Sequence, residues 1–207
     1  AFVPGYPIWL SRTNAARFDD PDQKSLHALY LEQAVAPHQG HLDSITAAAA
    51  RANITVVLGI VERPADRGGH TLYCSRVIID PIAGVVSIHR KLMPTYEERL
   101  CWGTGDGHGL TTHHVGEFTL GALNCWENWM PLARAALYAQ GENLHVALWP
   151  GQVSNASDLT GDSALESRSF VLSASALLGP HDLPPSLPLR AQIIAAIDQP
   201  IAHDGGS

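Results

Sequence analysis

The sequence predicts an α/β protein built as a single domain over residues 1–207. Two observations carry this expectation. "NITVVLGIVER" and "LHVALWPG" are short, continuous apolar runs, the first rich in β-branched residues, as strands buried on both faces must be. Between the strand pattern "FTLGALN" (118–124) and "LHVALWPG" lies an amphipathic helical stretch. Strand, helix and strand in so short a span make a βαβ unit with parallel strands. A chain of this length is enough for one sizeable core.

The remaining elements follow in order. "AFVPGYPIWL" reads as a loop, because its prolines and glycine leave no room for a helix. Leu26, Leu29, Tyr30, Leu31 and Val35 recur at helical spacing between Asp22 and Ala36. A second helix is expected from Gly40 to Ala52. "TLYCSRVIID" and "GVVSIHRK", separated by "PIA", form an antiparallel pair. A long loop runs through "LMPTYEERLCWGTGDGHGLTTHH". The βαβ helix is expected from Glu127 to Gln140, with Pro131 in its first turn and Gly141 just past its end. A short helix is expected at Asp162–Ser169 and a strand at "FVLSASALL". "GPHDLPPSLPLR" reads as a proline-rich loop.

Composition excludes several functions. Against 20 acidic residues stand 13 Lys and Arg, a net charge of −7 with no basic run, so no nucleic-acid partner is expected. No segment approaches the roughly 20 apolar residues of a membrane span, and no signal peptide is visible. Three cysteines, Cys74, Cys101 and Cys125, lack metal-ligand spacing and fit a reducing cytoplasm. Neither a metal nor a cofactor is expected. The "THH" pair reads as a polar loop. "GTGDGHG" lacks the phosphate-binding pattern and reads as structural turns near the site. Among 11 histidines, His89, His113, His114 and His145 included, no spacing singles one out.

Cys125 stands out by position. It sits where "FTLGALN" hands over to a helix, at the carboxyl end of a strand where α/β proteins bind ligands. The positive end of a helix there would favour thiolate, and free backbone N–H groups would hold an oxyanion. Cys74, in mid-strand, reads as core, and Cys101 as structure. Lys91, one of only two lysines, closes "GVVSIHRK" at the sheet edge. Glu97 and Glu98 follow six and seven residues later. A thiolate, an ammonium and a carboxylate suit attack on a polarised carbon–nitrogen bond.

Two segments, "HRKLMPTYEERLCWGTGDG" and "GALNCWENWMPLARAALYAQG", closely resemble the signature segments of nitrilases, a branch of the carbon–nitrogen hydrolase superfamily. "PGYPIW", "LGIVER", "TLYCS", "HVALWPG" and "SRSFVLSAS" also resemble this family, in the expected order. The resemblance implies an α-β-β-α sandwich, incomplete at both termini, and hydrolysis of a small organic nitrile to a carboxylic acid and ammonia. It implies Cys125 as nucleophile, Lys91 as stabiliser of the tetrahedral species, and Glu98 as the group positioning Lys91 or the substrate. Glu97 receives no role. The backbone N–H of Trp126 is a candidate oxyanion donor, and Trp102 and Trp149 are candidates for an aromatic wall. A homodimer or larger homo-oligomer of the parent protein is also implied. The "C-W-E-N" residues favour nitrilase over amidase.

In this family a general-base glutamate precedes a segment like "AFVPGYP", which would place it immediately before Ala1. The 207 residues therefore resemble an internal piece of a nitrilase, from which little or no turnover is expected. Two alternatives stand beside that reading. One is a catalytically inactive binding or assembly module of the same fold. The other is an amidase or cyanide-hydrolysing member of the superfamily.

Overall fold

A computed structural model describes residues 7, 19–151, 153–187, 189–197 and 203–204. The opening loop, apart from Pro7, and most of the final "IAHDGGS" lie outside the described residues. Two sheets form the centre. The first has the order β1 (Val56–Glu62), β2 (Tyr73–Asp80) and β3 (Gly84–Arg90), all antiparallel. The second has the order β4 (His113–Val115), β5 (Phe118–Asn124), β6 (Leu144–Trp149) and β7 (Phe170–Ser175). Within it β5, β6 and β7 run parallel, as the βαβ pattern predicts.

Side-chain alternation along the strands sorts the core into layers. Ile78 of β2 packs against Leu120, Ala122 and Val146 of the second sheet, joined by Val57, Val86 and Leu148. On the outer face of the first sheet, Val77 and Ile79 meet Leu42, Ile45 and Ala49 from the segment around α2 (Asp43–Ala52). On the outer face of the second, Leu123 meets Ala133 and Leu137 of α3 (Pro131–Tyr138). The result is an α-β-β-α sandwich. β6, an interior strand covered on both faces, reads as an apolar run, and so does β1 at the edge of the first sheet, whose Val57 and Leu58 pack into different layers.

Helix α1 (Pro21–Gln33) begins at Asp20, whose carboxylate accepts from the N–H groups of Asp22 and Gln23. It joins Leu72, Trp102, Leu183 and Ile193 in a separate cluster. Helix α4 spans Val153–Ser167, starting nine residues before the expected Asp162. The proline-rich loop runs into α5 (Arg190–Ile197), which the sequence reading left out. "FVLSASALL" is split, since β7 ends at Ser175 and Leu177–Leu178 (β8) pairs with His203–Asp204 (β9).

One correction bears on the site. The helix expected over Glu127–Gln140 is two elements, a 3-10 turn at Cys125–Trp129 and α3. Pro131 separates them: it forces Met130 into extended backbone (φ −82°, ψ 108°), so no continuous helix can begin at Cys125.

Candidate functional site

Cys125 follows the last residue of β5 in a left-handed conformation, φ 53°, which costs a non-glycine residue about 1–2 kcal/mol. The surrounding contacts hold it there. Glu127, three-residue partner of Asn124 in a capping box, accepts from the Asn124 N–H at 3.1 Å. Asn128 donates from Nδ2 to the Cys125 carbonyl at 2.8 Å. The Trp126 N–H lies beside the Cys125 sulfur and favours its thiolate.

Because the α-helix starts only at Pro131, its positive end does not lie beside the sulfur, and the expected depression of the thiol is absent. Burial pushes the Cys125 thiol up to about 11, against the opposing pull of the Lys91 ammonium.

Lys91 is reached from the other sheet. It follows β3, is 1% exposed, and donates to Glu98 Oε2 at 2.6 Å and to Thr95 Oγ1 at 3.1 Å. Glu98 is equally enclosed. It lies in a 3-10 turn (Tyr96–Leu100) whose cap is Thr95, and the same Oε2 accepts from the Thr95 N–H at 2.6 Å. Glu98 rather than Glu97 carries the ion pair. Burial pulls the Lys91 pKa down, but Cys125, Cys74 and Glu98 together outweigh it and hold it above its ordinary value. Removing one member of such a buried pair costs roughly 3–5 kcal/mol, because the other charge is stranded.

Cys125, Lys91, Glu98, Trp102 and Trp149 all line one cavity of about 460 Å³. Its walls are mostly apolar, with Val57, Ile60, Leu148 and Leu178 among them. The Trp126 ring is instead on the surface, stacked with Trp129 at 5.9 Å. Cys74 also lines the cavity, whereas Cys101 is buried beside α1, where burial raises its thiol to about 12.

Sequence reasoning passed over Glu127, which ties the two halves together. It is fully buried, and Oε1 meets His89 Nε2 and accepts from the Leu92 N–H, both at 2.8 Å. One carboxylate thus links both segments flanking Lys91 to the turn that carries Cys125. The glycine-rich "GTGDGHG" loop lies along the same strand. Gly105 donates its N–H to the Lys91 carbonyl at 2.9 Å, and a Cβ there would collide with the Arg90 carbonyl. Of the "THH" pair, His113 contacts the Asp80 carboxylate at 3.1 Å.

Comparison with known proteins agrees with this architecture. A family profile described as carbon-nitrogen hydrolase matches residues 1–183. An aliphatic nitrilase of Sinorhizobium fredii is 37% identical over 187 residues, covering 90% of this chain and 59% of the relative. A bifunctional nitrilase/nitrile hydratase of Oryza sativa is 34% identical, covering 89% of this chain and 51% of the relative. The chain thus spans little more than half the length of these relatives. Among solved structures, a mutant of the amidase from Nesterenkonia sp. AN1, with acrylamide added at its active-site cysteine, superposes with a TM-score of 0.61. It is 17% identical, over 75% of this chain and 60% of that one. The carbon-nitrogen hydrolase of Helicobacter pylori G27 gives a TM-score of 0.57 at 13% identity, over 83% of this chain and 58% of that one. These likenesses support the fold.

Proposed function

Because the chain belongs to the carbon–nitrogen hydrolase family, we propose that it hydrolyses an organic nitrile to a carboxylic acid and ammonia, with Cys125 as nucleophile. The observation that carries this reading is the convergence of Cys125 and the Glu98-held Lys91, from two different sheets, on one mostly apolar cavity. The names of the relatives point the same way, since those of S. fredii and O. sativa are nitrilases.

In this mechanism the sulfur, once deprotonated, attacks the nitrile carbon, and the nitrogen takes up a proton to give a thioimidate. Water adds to that carbon, ammonia leaves, and a thioester remains. A second water releases the carboxylic acid and returns the thiol. Lys91 and the Trp126 N–H face the charge that develops on the heteroatom. Glu98 already accepts from Lys91 and from the Thr95 N–H, and on the family resemblance we assign the proton acceptor to the glutamate expected immediately before Ala1. Trp102 and Trp149, with the aliphatic wall, would seat the apolar part of the substrate.

We further take residues 1–207 as part of one catalytic domain, acting in a reducing cytoplasm in keeping with three free cysteines, within a homodimer or larger assembly. Among the described residues no helix is long and apolar enough to cross a membrane. The test is a panel of aliphatic and aromatic nitriles with the matching amides, assayed on the full-length protein for ammonia, acid and amide. Acid and ammonia from nitriles, lost in Cys125→Ala, support the reading. Turnover of amides alone would make the protein an amidase.

A further inference from the structure

Beneath the Cys125 turn lies a run of buried polar side chains that the mechanism above does not use. Asn128, His145 and Glu142 are all buried. Asn128 Nδ2 donates to two carbonyls, Cys125 at 2.8 Å and Leu123 at 3.4 Å. Its Oδ1 must therefore accept, and its partner at 2.8 Å is His145 Nε2. That nitrogen then carries a proton. The other ring nitrogen, Nδ1, lies 2.7 Å from Glu142 Oε1, a distance that requires a second proton between them. The directions of all these bonds are thereby determined: Glu142 orients His145, His145 donates to Asn128, and Asn128 donates to the Cys125 carbonyl.

Two further contacts keep the run in place. Gly121 leaves the space Glu142 occupies, since a Cβ there would run into the carboxylate. Arg134 donates to the Asn128 carbonyl at 2.7 Å, so both ends of that residue are held.

The Cys125 carbonyl and the Trp126 N–H belong to one planar trans peptide and point in opposite directions. Fixing the oxygen therefore fixes the N–H, which lies beside the Cys125 sulfur, itself part of the cavity lining. A hydrogen bond at the oxygen also polarises the N–H on the other side. We propose that Glu142, His145 and Asn128 form a positioning chain that aims the Trp126 N–H at the charge developing on the substrate. The inference rests on the reading of Cys125 as nucleophile given above.

Two substitutions at one position separate aiming from mere packing. The amide nitrogen of glutamine falls near the place of Nε2, that of asparagine near Nδ1. His145→Gln keeps the donor to Asn128, and His145→Asn loses it. In the full-length protein acting on a nitrile, His145→Gln should keep kcat within about threefold. His145→Asn should lower kcat about 30-fold with KM within about twofold, as misplacement of one oxyanion donor predicts. Equal losses in both variants overturn the chain while leaving the nitrilase reading intact, provided that wild type is active and Cys125→Ala is not. A wild type inactive on nitriles and amides overturns both. A measurement on the unaltered protein does not depend on either variant folding. The ¹⁵N resonances of His145 should show a protonated Nε2, and an unprotonated Nε2 overturns the proposal.

Discussion

Two cysteines line the same cavity under nearly the same electrostatic conditions, and the backbone separates their prospects. Cys74 is the second residue of β2, inside the ladder and paired opposite Val61, with its carbonyl accepting from the Lys91 N–H at 2.8 Å. Cys125 lies just past the end of β5, where the ladder has stopped. Burial raises both thiols, and Lys91 pulls both down. Cys74 ends well above the ordinary thiol range and Cys125 at about 11. Burial is the largest cause in both, and at Cys125 a neighbouring N–H group also favours the thiolate. Inside the ladder the neighbouring amides belong to the sheet, whereas past its end, in the left-handed turn at Cys125, the Trp126 N–H lies beside the sulfur. A nucleophile needs a place where secondary structure has ended, not merely a thiol near an ammonium.

The largest test of that contrast is removal of the sulfur itself. Cys125→Ala should lower nitrile hydrolysis by about 10⁴-fold or more, read as ammonia release, in line with loss of a covalent nucleophile. Next comes Lys91→Met, expected to lower kcat about 10³-fold. It should also depress the thermal midpoint, because Glu98 is left buried without its cation. If Lys91→Met lowered only stability and left kcat alone, the ammonium would be structural.

A third test compares reactivity directly. Alkylation of Cys125 by iodoacetamide should accelerate with pH toward a midpoint at about 11. At pH 8 it should run roughly a hundredfold slower than a free cysteine, whose pKa is about 8.5. In Lys91→Met the midpoint should rise further, since the ammonium favours thiolate. The smallest effect is expected for Cys74→Ala. Its cavity costs about 1 kcal/mol of stability, and kcat should stay within about threefold. A large loss of kcat there would erase the distinction between the two sites.

Much of the frame was legible in the residues because it rests on local causes. The β-branched run 56–62 packs on both faces, and the parallel pair at 118–124 and 144–149 is largely buried, and packing of that kind leaves a continuous apolar signature. The break at Met130 was misread because Pro131 suits a helix start as well as a helix interruption, and only the extended Met130 decides. Glu127 and Asn128 escaped notice, and His145 was named without being singled out, for a different reason. Their meaning comes from partners 38, 35 and 17 residues away, which no window reveals. One trace was available: His145 interrupts the otherwise apolar "LHVALW", and a histidine inside a buried strand needs a hydrogen-bond partner. Spacing likewise did not show that Lys91 and Cys125 share a cavity, since they come from different sheets.

The raised Cys125 thiol has one more consequence, for durability. Peroxide attacks thiolates, so a sulfur kept protonated at neutral pH is a poor target for conversion to sulfenic and then irreversible acids. The same apolar enclosure that holds Cys125 near pKa 11 therefore works as an antioxidant sheath, and the protein's working lifetime under oxidative stress should shorten as the medium turns alkaline.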